Sequence, residues 1–406
     1  MSKKNNAPRL GNMMGGVSTL MASLLCILIG LAVGFVVLLV LGGITLAQEG
    51  SAFSFGELLK TTWEQGFKPI LQGGFYAKAN TMGMGVRMEI LQAAPLIMTG
   101  LSVAFAFKTG LFNIGAAGQY TVGAFFALYS AIILKMPWWA CLIASAVGGA
   151  IWGAIPGIFK AFLNVNEVIT AIMFNWIGLY AVNTMIYQQG AGPMFNLKTT
   201  KTFTIKETSP ESLLPSFNVS IGGDDYFGKM FQPSIGIFIA IAVAIIIWVI
   251  INKTTFGYEL KACGHNKDAA KYAGINEKRN IVLSMTIAGA LAGLGAGLFY
   301  LSGSKEWEPL VSTALPAAGF NGISVALLAS SNPLGCIFSA IFISHITTGG
   351  GFMFAKLFPS EVADIISGVV IYLCAFSLLF KGSVLKLFAK KPKAAPKADS
   401  GKEGKA

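Results

Sequence analysis

Long apolar stretches recur along the chain, and short polar segments separate them. A lipid core about 30 Å thick needs roughly 20 predominantly apolar residues per spanning helix, so such stretches predict transmembrane helices. The first covers 20–47 and is too long for the apolar part of a signal peptide. Nine more lie at 90–107, 113–134, 138–159, 168–187, 233–251, 281–302, 317–331, 333–348 and 361–380. The pattern predicts an all-α polytopic membrane protein with about ten transmembrane helices.

The composition agrees with a lipid environment. Of the 406 residues, 54% are hydrophobic and only 12% are charged, which is far more apolar than a soluble domain of this length. The formal net charge of +12 is compatible with nucleic-acid binding. Basic cytoplasmic loops and tails explain it equally well, so we expect a multi-pass protein of the cell membrane with no nucleic-acid partner.

The basic residues also predict the orientation, because Lys and Arg accumulate in cytoplasmic loops. With both termini inside, the cytoplasmic segments carry 19 of the 30 Lys and Arg residues. This topology predicts a cytoplasmic tail 1–19, a first transmembrane helix 20–47, an extracytoplasmic segment 48–89, a transmembrane domain 90–380 with an outer loop 188–232 and a cytoplasmic loop 252–280, and a basic, disordered cytoplasmic tail 381–406.

Several kinds of catalytic and cofactor chemistry are missing from the sequence. The segment 223–230 is the nearest approach to an ATP-binding loop, but Met230 stands where a hydroxyl residue must hold magnesium. No nucleophile elbow or paired acids suggest an enzyme. The five cysteines and two histidines lack the spacing of a metal site. We therefore expect no enzyme activity, no metal and no bound cofactor.

Amide side chains stand at glycine-rich interruptions of the apolar pattern. Asn113 and Gln119 occupy the mouth of one predicted span, and Asn175 lies about two turns into another. A buried polar group needs a partner, so these amides bond each other, the backbone, water or a solute, and a role in joining helices is as well supported as solute contact. Asn321 repeats the pattern between Gly319 and Gly322, which suggests an inverted repeat.

The largest cytoplasmic loop contains a candidate docking element. Residues 266–273 favour a short amphipathic helix, and Gly274 is suited to end it. An ordinary surface helix explains the charges as well, but it does not require the small pair Ala269 and Ala270 followed by glycine.

Four phrases together resemble one transporter family. The loop Asp268-Ala269-Ala270-x-x-x-Gly274 is similar to the E-A-A-x-x-x-G loop with which permeases of ATP-binding-cassette (ABC) importers bind their ATPases, with Asp in place of Glu. The phrases G-L-F-N-I-G-A-A-G-Q at 110–119, E-V-I-T-A-I-M-F-N at 167–175 and G-F-N-G-I-S-V-A-L-L at 319–328 closely resemble the permeases for branched-chain amino acids, simple sugars and nucleosides. Within that family, 112–119 is similar to the nucleoside branch.

The resemblance implies a permease subunit of an ABC importer for nucleosides. It implies separate ATPase subunits that bind ATP and magnesium, a second and different permease, and an extracytoplasmic solute-binding lipoprotein. The implied ATPase-coupling loop contains Gly264, His265, Asn266, Asp268, Ala269, Ala270 and Gly274. Hydrogen-bonding or stacking residues of the solute path would be Phe112, Asn113, Gln119, Asn175, Trp176, Phe320 and Asn321.

Three other functions remain open at this point. An ABC permease for sugars or another small polar solute would share the fold. An ion-coupled secondary transporter would need buried acids or histidines as coupling groups, and the sequence places few of these inside its apolar stretches. A membrane enzyme acting on lipid would need an activated nucleophile, paired acids or metal ligands, none of which is evident.

Overall fold

The computed structural model describes residues 7–48, 53–76, 82–188, 194–217, 233–309 and 314–375. Fifteen α-helices lie in these ranges, with a π-helical turn at Thr62–Phe67, a 3-10 turn at Gly73–Tyr76 and another at Pro210–Ser212. The helices are α1 Ala7–Gln48, α2 Phe55–Thr61, α3 Lys68–Gln72, α4 Met82–Lys108, α5 Ala116–Ile132, α6 Trp138–Leu163, α7 Glu167–Gln188, α8 Ile205–Thr208, α9 Gly236–Lys253, α10 Thr255–His265, α11 Lys267–Tyr272, α12 Glu277–Tyr300, α13 Ala317–Leu328, α14 Pro333–Gly350 and α15 Glu361–Ala375. Two short antiparallel strands, β1 Phe195–Asn196 and β2 Lys201–Thr202, pair in the outer loop.

A helix lies at each of the ten predicted spans, and the all-α polytopic fold is confirmed. Seven helices of the described chain are long and apolar enough to cross a membrane, namely α1, α4, α6, α7, α9, α12 and α14. The other three are shorter over their described length, with 17 residues in α5, 12 in α13 and 15 in α15. The predicted count of ten therefore combines seven full-length spans with three shorter helices.

Several predicted boundaries are wrong. Helix α1 begins at Ala7, so most of the predicted tail 1–19 is helical. Helix α4 begins at Met82 and not at 90: it includes Arg87, which lines a cavity, and Glu89, which has hydrogen-bond partners inside the fold. The other described residues of the segment 48–89 are largely helical too, with α2, the π-helical turn and α3. The predicted disordered tail 381–406 lies outside the described residues.

The two predicted loops contain regular structure. The cytoplasmic loop 252–280 consists mainly of α10 and α11, and α12 already begins at Glu277. The described part of the outer loop 188–232 holds the strand pair, α8 and a 3-10 turn. The described parts of both segments are therefore ordered connections.

Glycines bring the central helices α6 and α12 into backbone contact. A Cβ atom built on Gly149 would lie 2.3 Å from the carbonyl oxygen of Gly289, and one on Gly153 would lie 2.8 Å from the Cα atom of Gly289. Small residues at four-residue spacing allow this close approach. The pair lies at the centre of the bundle and packs on α4 and α5.

The N-terminal helix lies at the edge of the bundle. Gly30 and Gly34 of α1 pack on Val370 and Ile366 of α15. Around this contact, a separate apolar cluster joins α1, the π-helical turn and α15. Helix α1 thus adds to the bundle from outside and does not contribute to its centre.

Candidate solute pathway and coupling surface

A buried amide cluster fixes the junction between α4 and α5. Asn113 Nδ2 donates to Ser102 Oγ at 2.9 Å and to Gln119 Oε1 at 2.8 Å. Gln119 Nε2 donates back to Asn113 Oδ1 at 3.0 Å. Asn113 and Gln119 are 0% and 1% exposed. These two predicted pathway residues thus satisfy each other and join the two helices.

Asn175 extends the same junction to α7. Its Oδ1 atom accepts a hydrogen bond from the Gly118 backbone N–H at 2.8 Å, and its Nδ2 atom donates to the Ile114 carbonyl at 3.1 Å. Both backbone groups lie where the chain leaves one helix and enters the next, and they have no partner within a helix there. Asn175 therefore supplies the bonds that the interrupted backbone lacks.

The second glycine-bordered amide segment packs on the first. A Cβ atom on Gly319 of α13 would lie 2.3 Å from the Cα atom of Ala117, and one on Gly322 would meet the backbone of Thr99. Glycine at both positions lets the short helix α13 lie directly on α4 and α5. The two segments with similar sequences are thus neighbours, and the inverted repeat stays a prediction.

A cavity of about 570 Å³ opens beside this junction. Its size falls within the range of about 300–1,000 Å³ that is typical of small-molecule sites. The walls come from the first half of α4, the end of α12, the start of α13 and the segments that flank them. The lining residues are Met84, Arg87, Met88, Leu91, Gln92, Pro95, Leu96, Tyr120, Phe299, Tyr300, Gly303, Ser304, Lys305, Pro316, Ala317, Ala318, Asn321 and Thr347.

Aromatic rings and polar groups share this cavity. The rings of Tyr120 and Tyr300 lie 6.4 Å apart, and Tyr300 also packs on Trp307 at 5.7 Å. Aromatic walls suit planar solutes, and hydroxyl and amide groups can orient them. The cavity is therefore chemically suited to a small polar solute with a ring.

The other predicted pathway residues are distributed over several surfaces. Asn321 lines the cavity. Phe112 is stacked on Phe107 with ring centroids 5.0 Å apart. Trp176 is stacked on Tyr180 at 6.0 Å, and both Trp176 and Phe320 lie on the exposed surface of the chain. Of the seven predicted residues, Asn321 alone contributes to the cavity.

Apart from Asn321, the residues that line the cavity were not predicted from the sequence. Arg87 and Gln92 lie on α4, and the predicted boundary at residue 90 left Arg87 outside the span. Tyr120 and Tyr300 come from α5 and α12, far apart in sequence. A charged residue that interrupts an apolar stretch was the available signal, since charged groups inside membrane helices mark functional sites.

The cytoplasmic segment forms the predicted short helix. Asn266 caps α11, and its Oδ1 atom accepts from the Ala269 backbone N–H at 3.0 Å. At the other end, Gly274 adopts the left-handed conformation with φ of +79°, and Ile275 N–H donates to the Ala270 carbonyl at 3.0 Å. These bonds satisfy both ends of the helix, and Gly274 ends it as predicted.

The faces of α11 have different surroundings. Ala270 is 3% exposed and packs against the protein itself, whereas Ala269 is exposed. Tyr272 is 95% exposed, and Gly264, His265, Asn266 and Asp268 are also exposed. An aromatic side chain so open to solvent is unusual in a structural helix, so this face is a candidate contact surface.

The end of α4 touches the segment just before α11. Gly110 has φ of +75°, and a Cβ atom built on it would lie 2.5 Å from the Cα atom of Gly264. A Cβ on Gly264 would meet Thr109 and Gly110 equally closely. Thr109 Oγ1 also bonds Ser284 Oγ of α12. The docking segment and the amide cluster are thus joined through two glycines in direct backbone contact.

A buried acid and a histidine lie near the other end of α4. Glu89 Oε1 lies 3.0 Å from His345 Nδ1, and Glu89 Oε2 accepts from the Gly74 backbone N–H at 3.0 Å. His345 Nε2 lies 3.0 Å from the Leu71 carbonyl oxygen. This pair fastens the turn at Gly73–Tyr76 to α4 and α14. In the described ranges, no group of three His, Cys, Asp or Glu residues is arranged to hold a metal ion.

Comparison with known proteins identifies the family. The family model described as "Branched-chain amino acid transport system / permease component" matches residues 87–375, which include the amide cluster, the cavity and α11. The chain belongs to this permease family. The match begins near the start of α4, so α1–α3 lie outside the family's common part.

Characterised relatives cover most of this permease. It is 36% identical to the guanosine ABC transporter permease protein NupP of Bacillus subtilis, over 91% of this chain and 97% of that protein. It is 37% identical to the nucleoside ABC transporter permease protein NupB of Lactococcus lactis, over 76% of this chain and 84% of that protein. The glucose ABC transporter permease protein TsgB13 of Haloferax volcanii is 27% identical, over 76% and 80% of the two chains.

These findings confirm the family predicted from the four phrases. They also confirm that the chain is a multi-pass protein of the cytoplasmic membrane and a permease subunit of an ABC importer. No solved structure matches the permease significantly.

Proposed function

We propose that this permease carries nucleosides across the cytoplasmic membrane through the cavity between α4, α5, α12 and α13. The cavity is the observation that carries the proposal, because its aromatic wall at Phe299 and its uncharged hydrogen-bonding groups suit a base and a ribose. The two relatives at 36% and 37% identity, named for guanosine and nucleoside transport, support the same cargo, and the glucose permease is less similar.

Separate ATPase subunits supply the energy in this proposal. They bind ATP and magnesium themselves and dock on the exposed face of α11, with Tyr272 at its centre. The resemblance further supports a second, different permease subunit that completes the pore and a binding lipoprotein that delivers the solute outside. This chain then needs no cofactor of its own.

The solute enters from the outer side. On the predicted topology, the cavity reaches the outer segment after α12 through Gly303, Ser304 and Lys305. The amide cluster lies toward the cytoplasmic side of α4 and closes the bundle there. ATP-driven movement of α11 acts on Gly110 through Gly264, separates α4 from its neighbours and opens the inner side.

Uptake by the assembled transporter tests this function. Vesicles containing both permeases, the ATPases and the binding protein should accumulate labelled guanosine only with ATP, and other nucleosides should compete. Competition by glucose or branched-chain amino acids alone would reject the nucleoside cargo. Uptake driven by an ion gradient without ATP would favour the secondary transporter instead.

A further inference from the structure

The cavity has an unusual charge pattern. Its described lining contains the two cations Arg87 and Lys305 and no Asp or Glu residue. Glu89 lies on the same helix as Arg87 but is bonded to His345 and to the Gly74 backbone. The cavity therefore presents positive charge without a carboxylate in its wall to neutralise it.

Arg87 differs from the basic residues of the described chain that pair with an acid. Lys160 pairs with Glu167 at 2.8 Å, and Lys201 pairs with Glu308 at 2.6 Å, which raises the pKa of Lys201. Among the described residues, Arg87 has neither an ion pair nor a hydrogen bond, although it is half-buried. A half-buried guanidinium stays charged and requires acceptors, so its partner is water or a solute.

The guanidinium selects the chemistry of that partner. It presents five N–H donors in a planar fork and has no acceptor, so it binds two neighbouring acceptor atoms best. A 6-oxopurine offers this pair, O6 and N7, on one edge. Adenine offers N7 beside an amino group, which is a donor and opposes the guanidinium. Phe299 lines the same cavity and is only half-buried, so it offers a ring on which a purine can stack, whereas Tyr120 and Tyr300 are buried in the wall.

We propose that Arg87 is a specificity residue of the solute path, which favours nucleosides with a 6-oxopurine base over those with a 6-aminopurine base. This inference rests on the proposed nucleoside function. It assigns selectivity to the permease itself, in addition to any selectivity of the binding protein. A phosphate group offers the same pair of acceptor atoms. The experiment must therefore distinguish a purine base from the phosphate of a nucleotide as the partner of Arg87.

The test compares uptake of guanosine, adenosine and guanosine monophosphate by the complete transporter. Arg87→Gln removes the charge, and Arg87→Lys keeps it but loses the two-pronged geometry. Lys206→Gln, an exposed outer-loop cation away from the cavity, is the matched control. Each variant is compared with wild type at the same binding protein, so the preference of that protein cancels. ATPase activity of the purified complex verifies assembly.

We expect Arg87→Gln to lower the guanosine-to-adenosine ratio of kcat/KM by about 5- to 150-fold, which corresponds to the loss of one bidentate base contact. Arg87→Lys should give an intermediate ratio, and Lys206→Gln should leave the ratio unchanged. Equilibrium binding of both nucleosides to the complex without binding protein should show the same preference.

Three outcomes would overturn the inference. In the first, the guanosine-to-adenosine ratio of kcat/KM stays at the wild-type value in Arg87→Gln. In the second, both nucleosides lose uptake equally, which indicates a structural role for Arg87. In the third, only uptake of the monophosphate is lost, which assigns Arg87 to phosphate binding. A wild-type transporter that carries no nucleoside at all would instead reject the proposed function.

Discussion

Polar side chains of α4 have opposite surroundings at the cavity and at the amide cluster. In the outer half, Arg87 and Gln92 line an open cavity and have no hydrogen-bond partner among the described residues. In the inner half, Ser102 accepts a hydrogen bond from Asn113. Just after the helix, Thr109 Oγ1 donates to the Ala106 carbonyl and also bonds Ser284 Oγ. One helix thus contains an open polar wall and a closed polar junction.

The difference separates two roles for polar residues in a membrane bundle. Leaving a buried polar group unpaired costs about 1–3 kcal/mol, so groups that bond each other hold helices together. Groups with no partner in the protein must contact water or solute. We infer that the outer half of α4 selects the solute and that the inner half transmits movement from the ATPase.

The largest effect should come from Tyr272 on the docking face. Tyr272→Ala removes an aromatic side chain that is 95% exposed in this chain and buried in the proposed complex. Loss of such an anchor costs about 2 kcal/mol or more, so the affinity for the ATPase should fall roughly 30-fold or more. Co-purification of the ATPase and ATP-dependent uptake measure this loss.

A second exposed tyrosine provides the control. Tyr258, at the start of α10, is 69% exposed. Tyr258→Ala should retain both the ATPase and uptake. Equal losses in the two variants, or none in Tyr272→Ala, would show that α11 is not the docking helix.

The contact between Gly110 and Gly264 should transmit the movement. Gly110→Ala adds a Cβ atom 2.5 Å from the backbone of Gly264 and requires φ of +75°, which costs a non-glycine residue about 1–2 kcal/mol before the clash is counted. We expect uptake per assembled complex to fall about tenfold, equivalent to roughly 1.4 kcal/mol of lost coupling, while ATP hydrolysis continues.

Gly274→Ala separates conformation from contact. Gly274 has a similar φ of +79°, but a Cβ atom there meets nothing within 4 Å in the described structure. This variant bears the conformational cost alone, so its loss of uptake should be smaller. If Gly274→Ala impairs uptake as much as Gly110→Ala, the backbone contact does not carry the coupling.

The sequence predicts elements better than it predicts surroundings. Apolar length located the helices, and the cost of burying amides marked Asn113 and Asn175 as important. Periodicity could not show that these amides satisfy local partners, nor that Ala270 faces the protein while Ala269 is exposed. These facts depend on how the helices pack.

The cavity was harder to predict for a related reason. Arg87, Tyr120 and Tyr300 come from three helices, and no spacing in the sequence links them. The apolar stretch that predicted this span begins at 90, so it excluded Arg87. The helix nevertheless continues through Arg87, whose side chain lines the cavity. The missing information was therefore the three-dimensional arrangement and not the chemistry of single residues.

The smallest effects on uptake should come from a matched pair of asparagines, one at the cavity and one in the closed junction. Asn175→Leu leaves the Gly118 N–H and the Ile114 carbonyl without partners, which should cost about 1–3 kcal/mol for each group and lower the unfolding midpoint of the complex. Asn321→Leu alters a cavity wall and should change stability by less than about 0.5 kcal/mol.

The rate of uptake should rank the two variants in the opposite order to stability. Removing one solute hydrogen bond at Asn321 should slow nucleoside uptake about 2- to 10-fold without loss of folded complex. Asn175→Leu, once uptake is normalised to folded complex, should transport near the wild-type rate, because its bonds are internal to the protein. Thermal unfolding in detergent and uptake in vesicles give the two measurements. If Asn321→Leu destabilises the complex and Asn175→Leu impairs uptake by folded complexes, the assignment of the open cavity wall and the closed polar junction is reversed.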